Sequence, residues 1–167
     1  AQISAKPPRL PVQQRMLMSF VGQAAQAAPE VSAIACIDPV ETAADKLSAF
    51  SWRMLLRDRT HPEDDPTIVR HLHDLAAIEP LALRHTGFPE LLRAVMVDDR
   101  MRGQGGVAEL GPADRLVAMR AKLLDDILYT DEYARFVSGM AFAGETEVPD
   151  FNTAVAAVGR LCDLLSK

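Results

Sequence analysis

Residues 38–59, DPVETAADKLSAFSWRMLLRDR, decide the fold, because a helix start and every face of the helix behind it are legible there. Asp38 suits the N-cap, Pro39 the first helical position, and Glu41 the third, as in a capping box. The spacing predicts a helix over 39 to about 58. At about 100° per residue, Val40, Ala44, Leu47, Phe50, Ser51 and Met54 gather within about 60° of Leu47. Ala49, Trp52 and Leu56 fall on the far side, so the helix is expected to be sandwiched. Lys46, Arg53 and Arg57 then form one basic stripe beside the apolar face, aimed into a cleft. Such cations repel one another unless an anion or carboxylates sit among them. A polyphosphate is one such anion; the alternative is a solvated stripe neutralised by Asp45, Asp58 or the acidic loop that follows.

That loop is HPEDDP, 61–66, and its Asp65-Pro66 repeats the cap-plus-proline signal for a second helix over about 66–79. Pro80 and Pro89 are read as opening two short helices. RGQGGVAELG, 102–111, carries four glycines and reads as a flexible hinge. Pro112 opens an amphipathic helix to about Tyr129, with Leu116, Val117, Leu123, Leu124, Ile127 and Leu128 on its apolar stripe. Thr130 is expected to cap a helix through Met140, AGETEVP (143–149) to be a loop, and 150–166 a last helix. Upstream, Pro7, Pro8 and Pro11 make 5–11 an extended connector, and VSAIACI, 31–37, is the best strand candidate. Residues 12–28 fit either a helix or a short strand and turn broken at Gly22. The fold class is therefore mainly α. A helical bundle over 38–167 follows a connector and short β remnant over 1–37.

Composition bounds the function. The chain has 167 residues, 49% hydrophobic and 25% charged, with a formal charge of −5. That excludes a wholly basic nucleic-acid coat but not a local basic groove. Aromatic residues are only 5%, so the core is expected to be aliphatic. Cys36 and Cys162 lie far apart without metal-like spacing, which argues for a reducing compartment. No apolar run nears the roughly 20 residues that cross a bilayer, and no signal peptide opens the chain. A cytoplasmic location and no membrane partner are expected. The opening AQIS looks like the tail of a strand, as though the natural beginning lay upstream.

The second helix carries RHLHD, 70–74. With Leu72 facing the core, Arg70 and Asp74 form an i, i+4 pair and His71 lies one turn from Asp74, so the carboxylate is expected between Arg70 and His71. His71 and His73 are about 200° apart on a helix, which rules out a shared zinc. Asp74 suits a base, an anchor for a nucleotide hydroxyl, or a surface ion pair. Neighbouring acids at 64–65, 98–99 and 125–126 diverge, so no metal site is expected from them. Ser138-Gly139 follows no strand, and GQGG at 103–106 lacks a P-loop lysine.

Taken together, residues 36–79 resemble the AbiEii/AbiGii-type toxin nucleotidyltransferases, the toxin halves of bacterial abortive-infection toxin–antitoxin pairs. That family's pattern is a K…AL…R…RD helix, then an R(H/D)xxDL helix. Here the first is Lys46, Ala49-Phe50, Arg53 and Arg57-Asp58, and the second Arg70-His71 and Asp74-Leu75. The resemblance implies transfer of a nucleotide from an NTP to an acceptor, tRNA in some relatives, with magnesium and a cognate antitoxin. Lys46 would bind the triphosphate and act with Asp74 in catalysis, and Arg53, Arg57 and Arg70 would support nucleotide binding. The family's upstream Gly-Ser turn, and its Asp-x-Asp strand whose carboxylates hold the magnesium, are absent from this sequence. It therefore looks like a C-terminal portion, inactive alone, whose magnesium ligands lie mostly outside it. The competing expectation is a non-catalytic helical module that binds a partner such as the antitoxin. The two helices are expected to pack with Lys46 and Asp74 facing one cleft.

Overall fold

The computed structural model describes residues 7–140 and 148–165. Two strands, β1 (Gln13–Leu17) and β2 (Val31–Cys36), flank a one-turn helix α1 (Phe20–Ala24). Helices α2 (Pro39–Leu56), α3 (Arg70–Arg84), α4 (Phe88–Asp98), α5 (Gly105–Glu109), α6 (Pro112–Asp125), α7 (Leu128–Met140) and α8 (Phe151–Asp163) follow. The open question at 12–28 thus resolves as a strand and then a turn of helix. β1 and β2 pair antiparallel, Gln13 opposite Cys36 and Leu17 opposite Val31, with an irregularity between Arg15 and Leu17. Gly22 does not break this segment but seats a partner: a Cβ there would come within 2.8 Å of the Glu30 carboxylate, which also holds the Ser19 N–H.

Helix α2 is the hub, packing against α3, α4 and α6, while α8 covers α3. Its predicted apolar face is the centre of the core: Ala44, Leu47, Phe50, Ser51 and Met54 are fully buried. Leu72 and Leu75 of α3, Leu92 and Met96 of α4, and Leu116 and Met119 of α6 close around it. Each such side chain contributes about 1.5–3 kcal/mol on leaving water, which fixes the relative placement of the helices. The Asp38 carboxylate accepts from the Val40 N–H at 2.7 Å, an N-cap worth about 1 kcal/mol. Glu41 does not complete the expected capping box. It turns outward from the helix start and accepts from the backbone N–H groups of Arg9 and Leu10, both at 2.8 Å, clamping the proline connector onto α2.

Several boundaries differ from expectation, each for a local reason. Asp65 caps its segment at the Thr67 N–H, but the first turn, Pro66–Val69, is a 3-10 turn and α3 proper begins at Arg70. Pro80 opens no new helix; it sits inside α3 on the exposed side. Leu75, Glu79 and Ala82 are buried across that proline, and Arg160 of α8 grips the Glu79 carboxylate, so packing outweighs one lost backbone bond. Helix α6 stops at Asp125, since the Asp126 carboxylate accepts from the Leu128 N–H at 3.1 Å and starts α7, a role expected of Thr130. Leu116 and Leu123 are buried as expected, but Val117 and Leu124, each one position round the helix from them, and Ile127 and Leu128, beyond its end, are exposed. The expected hinge at 102–111 is instead a 3-10 turn (Arg100–Gly103) and α5, joined through Gln104 and Gly105 at φ of 50° and 45°. Of the expected loop over 143–149, residues 143–147 lie outside the described residues. Asp150 then caps α8 at the Thr153 N–H.

Candidate functional site

The facing surfaces of α2 and α3 bring Lys46 and Asp74 together: the Lys46 ammonium donates to Asp74 Oδ2 at 2.6 Å. Both side chains keep access to solvent, at 31% and 38% exposure. Two turns further along α2, Arg53 Nη1 lies 3.5 Å from His71 Nε2, and the guanidinium sits 5.9 Å from the centre of the Trp52 ring. Among the described residues Arg53 forms no ion pair.

Arg70 and His71 do not flank Asp74 as the spacing suggests. Arg70 Nη1 donates to Thr67 Oγ1 at 2.5 Å and lies 3.4 Å from Asp65 Oδ2. His71 points inward, buried, with its ring 5.8 Å from that of Phe50. His73 instead neighbours Asp74, Nδ1 to Oδ1 at 3.7 Å, and meets Phe136 edge-on. Leu72 faces the core as expected, and His71, about 100° from it on the helix, turns inward against Phe50, while Arg70 is drawn back to Thr67 and Asp65. Burial pushes the His71 imidazole down to about 4, and the charges of Lys46, Arg70 and Arg53 push the same way. The ring is therefore neutral at pH 7.

That shift has a sign. The unfolded imidazole takes a proton near 6.5, while the native one resists until about 4, so stability falls as pH drops through that window. The difference corresponds to about 3 kcal/mol by the acid end. Urea unfolding at pH 7.5, 5.5 and 4.5 should show this loss, and His71→Asn should flatten it. An equal slope in the variant would contradict the assignment.

Arg57 is placed apart from the cleft. Its side chain is 4% exposed and held at both edges: Nε and Nη2 donate to Asp64 at 2.7 and 2.8 Å, Nη1 and Nη2 to Glu132 at 2.6 and 2.9 Å. Arg59 shares Glu132 at 3.0 Å, pairs with Asp126, and lies 4.4 Å over the Tyr129 ring. Lys122 Nζ donates to the Arg57 carbonyl at 3.3 Å. The paired carboxylates, Asp64 first, hold the Arg57 guanidinium well above its ordinary value despite burial. This network staples the end of α2 to the α6–α7 junction. Arg59, Glu132, Asp126 and Tyr129 carry no local signal of it in the sequence.

Magnesium prefers an octahedral shell of hard oxygens, with one or two carboxylates beside phosphates and water. Among the described residues no three acidic, imidazole or thiolate groups cluster to hold a metal. Asp74 is engaged by Lys46, Asp64 by Arg57, and Asp65 by the Thr67 hydroxyl. These residues do not form a magnesium site.

The family model for the nucleotidyl transferase AbiEii toxin of type IV toxin–antitoxin systems matches residues 2–157, and the chain belongs to that family. No curated protein and no solved structure matches it. Membership brings a nucleotide substrate and an antitoxin partner as the family's general expectation. Among the described residues no helix is long and apolar enough to cross a membrane.

Proposed function

We propose that this chain forms the nucleotide-side, helical portion of an enzyme that transfers a nucleotide from an NTP to an RNA end, tRNA being the expected acceptor. The observation that carries this reading is the Lys46–Asp74 pair at 2.6 Å, beside an arginine that forms no ion pair. In the reaction an acceptor hydroxyl oxygen attacks the α-phosphorus, the bond to pyrophosphate breaks, and the hydroxyl proton departs to a base. Lys46 swings from Asp74 to the triphosphate, neutralising charge on the leaving oxygens where it accumulates. The freed Asp74 carboxylate orients the hydroxyl and takes its proton. Arg53 and Arg70 are supporting cations. Arg57 acts as a positioning residue through its network and touches no phosphate. Magnesium belongs to the reaction by family, and the absence of Gly-Ser and Asp-x-Asp from the sequence supports ligands supplied from elsewhere. Residues 38–167 are the helical domain in this reading and 1–37 the remnant of the nucleotidyltransferase sheet, working in the cytoplasm.

Asp74→Asn keeps size and hydrogen bonding while removing charge. It should lower nucleotide transfer by about 10²-fold with melting unchanged, measured as incorporation of labelled NTP into total tRNA by the complete toxin. Full transfer by the variant would remove Asp74 from the reaction.

A further inference from the structure

Beside the cation cleft, at the C-terminal end of α2, lies a cavity of about 280 Å³ walled by Trp52, Leu56 and Ile68. Arg53 borders it and also lies 3.5 Å from His71, so one guanidinium stands between the cavity and the Lys46–Asp74 pair along α2. Its volume sits at the small end for ligand sites, the scale of a single base with its sugar rather than a peptide. The walls offer an indole and two aliphatic side chains, surfaces that suit a flat aromatic ring. Trp52 Nε1 is buried without a hydrogen-bond partner, so no protein acceptor fixes the ring.

The rim excludes phosphate. Asp58, Glu63, Asp64 and Asp65 line it against Arg53 and Arg57, and Arg57 is already neutralised by Asp64 and Glu132. Glu63 is exposed, and its carboxylate forms no hydrogen bond or ion pair among the described residues. Such acceptors suit exocyclic amines and ribose hydroxyls. A phosphate group finds its cations one step away, at Arg53 and then at Lys46, which lies seven residues earlier on α2, about 10.5 Å along the axis.

We propose that this cavity binds the nucleoside end of the incoming NTP, its base stacked on Trp52, with the phosphates running past Arg53 to Lys46. The inference rests on the nucleotide-transfer reading, and its test separates the two. Trp52 is the chain's one tryptophan, so its emission reports the site directly. Titrating the 167-residue chain with each NTP should quench that emission saturably, and inorganic tripolyphosphate should not. By calorimetry the preferred NTP should bind at least about tenfold tighter than tripolyphosphate. Trp52→Leu should erase that margin while leaving tripolyphosphate affinity and melting unchanged, and Trp52→Phe should restore most of it. Glu63→Gln should weaken NTPs bearing an exocyclic amine and leave UTP alone. Equal affinity for NTP and tripolyphosphate, or a margin that survives Trp52→Leu, would overturn the nucleoside site and spare the role of Lys46. Nucleoside quenching with tripolyphosphate binding indifferent to Lys46→Ala would do the reverse. Quenching by RNA ends but not by NTPs overturns the assignment to the incoming nucleotide, and no binding by any ligand overturns both.

Discussion

Lys46→Ala should reduce nucleotide transfer by the complete toxin by 10²-fold or more while leaving the melting temperature within a degree or two. The kinetic loss follows from removing a preorganised charge where transition-state charge collects. The small effect on stability follows from geometry: Lys46 and Asp74 are each about a third exposed, and such pairs contribute about 0–1 kcal/mol. Asp74, left behind, is still hydrated. Lys46→Arg should rescue poorly, because a planar fork does not place charge where a compact ammonium does. Labelled NTP incorporation beside thermal melting checks both halves. Activity near wild type would return Lys46 to the solvated stripe that spacing alone allows.

Arg57→Ala should behave in the opposite way, lowering stability markedly through a residue that touches no phosphate. Removing this guanidinium leaves Glu132, 7% exposed, with half of its partners gone, and strips Asp64 of both of its short contacts. Breaking a buried pair from one side costs about 3–5 kcal/mol. For a chain of this size that lowers the melting temperature by on the order of 10 °C. Arg53→Ala, by contrast, removes a guanidinium outside any ion pair and should change stability by less than about 1 kcal/mol. Differential scanning calorimetry of the two variants side by side is the check. Equal melting would mean that the network at the end of α2 contributes nothing net.

The contrast between these arginines shows what a sequence can carry. Asp38 and the burial of Leu47, Phe50 and Met54 are legible because each depends on helical rotation within a few turns, whereas the meeting of Lys46 with Asp74, 28 residues apart on two helices, is expected only from the family resemblance. Arg53 and Arg57 look alike by that measure. What separates them is Asp64, in the acidic loop seven residues on, together with Glu132, 75 residues downstream, and no periodicity reports the second contact. Pro80 stays inside its helix for a related reason: whether a proline ends a helix depends on what the flanking residues bury, here Glu79 against Arg160. The fates of His71 and His73 depend on partners from other elements, Phe50 for the first and Phe136 for the second, which spacing within α3 does not report. The cavity at Trp52 was invisible for want of the loop over 58–65 that closes its far side. The sequence places Trp52 on the helix face away from the core, which is correct, but gives no wall opposite it.

Lysine acylation footprinting measures whether Lys46 faces a triphosphate without requiring turnover. The chain is treated with a limiting acylating reagent with and without millimolar NTP, and modification at Lys46 and Lys122 is quantified by mass spectrometry. Lys122, turned onto the Leu55 and Arg57 carbonyls, serves as the internal reference. NTP and tripolyphosphate should both protect Lys46 several-fold and leave Lys122 unchanged, and Arg53→Ala should weaken that protection. Identical Lys46 modification with and without either ligand, at concentrations that saturate any binding seen by calorimetry, would contradict the account.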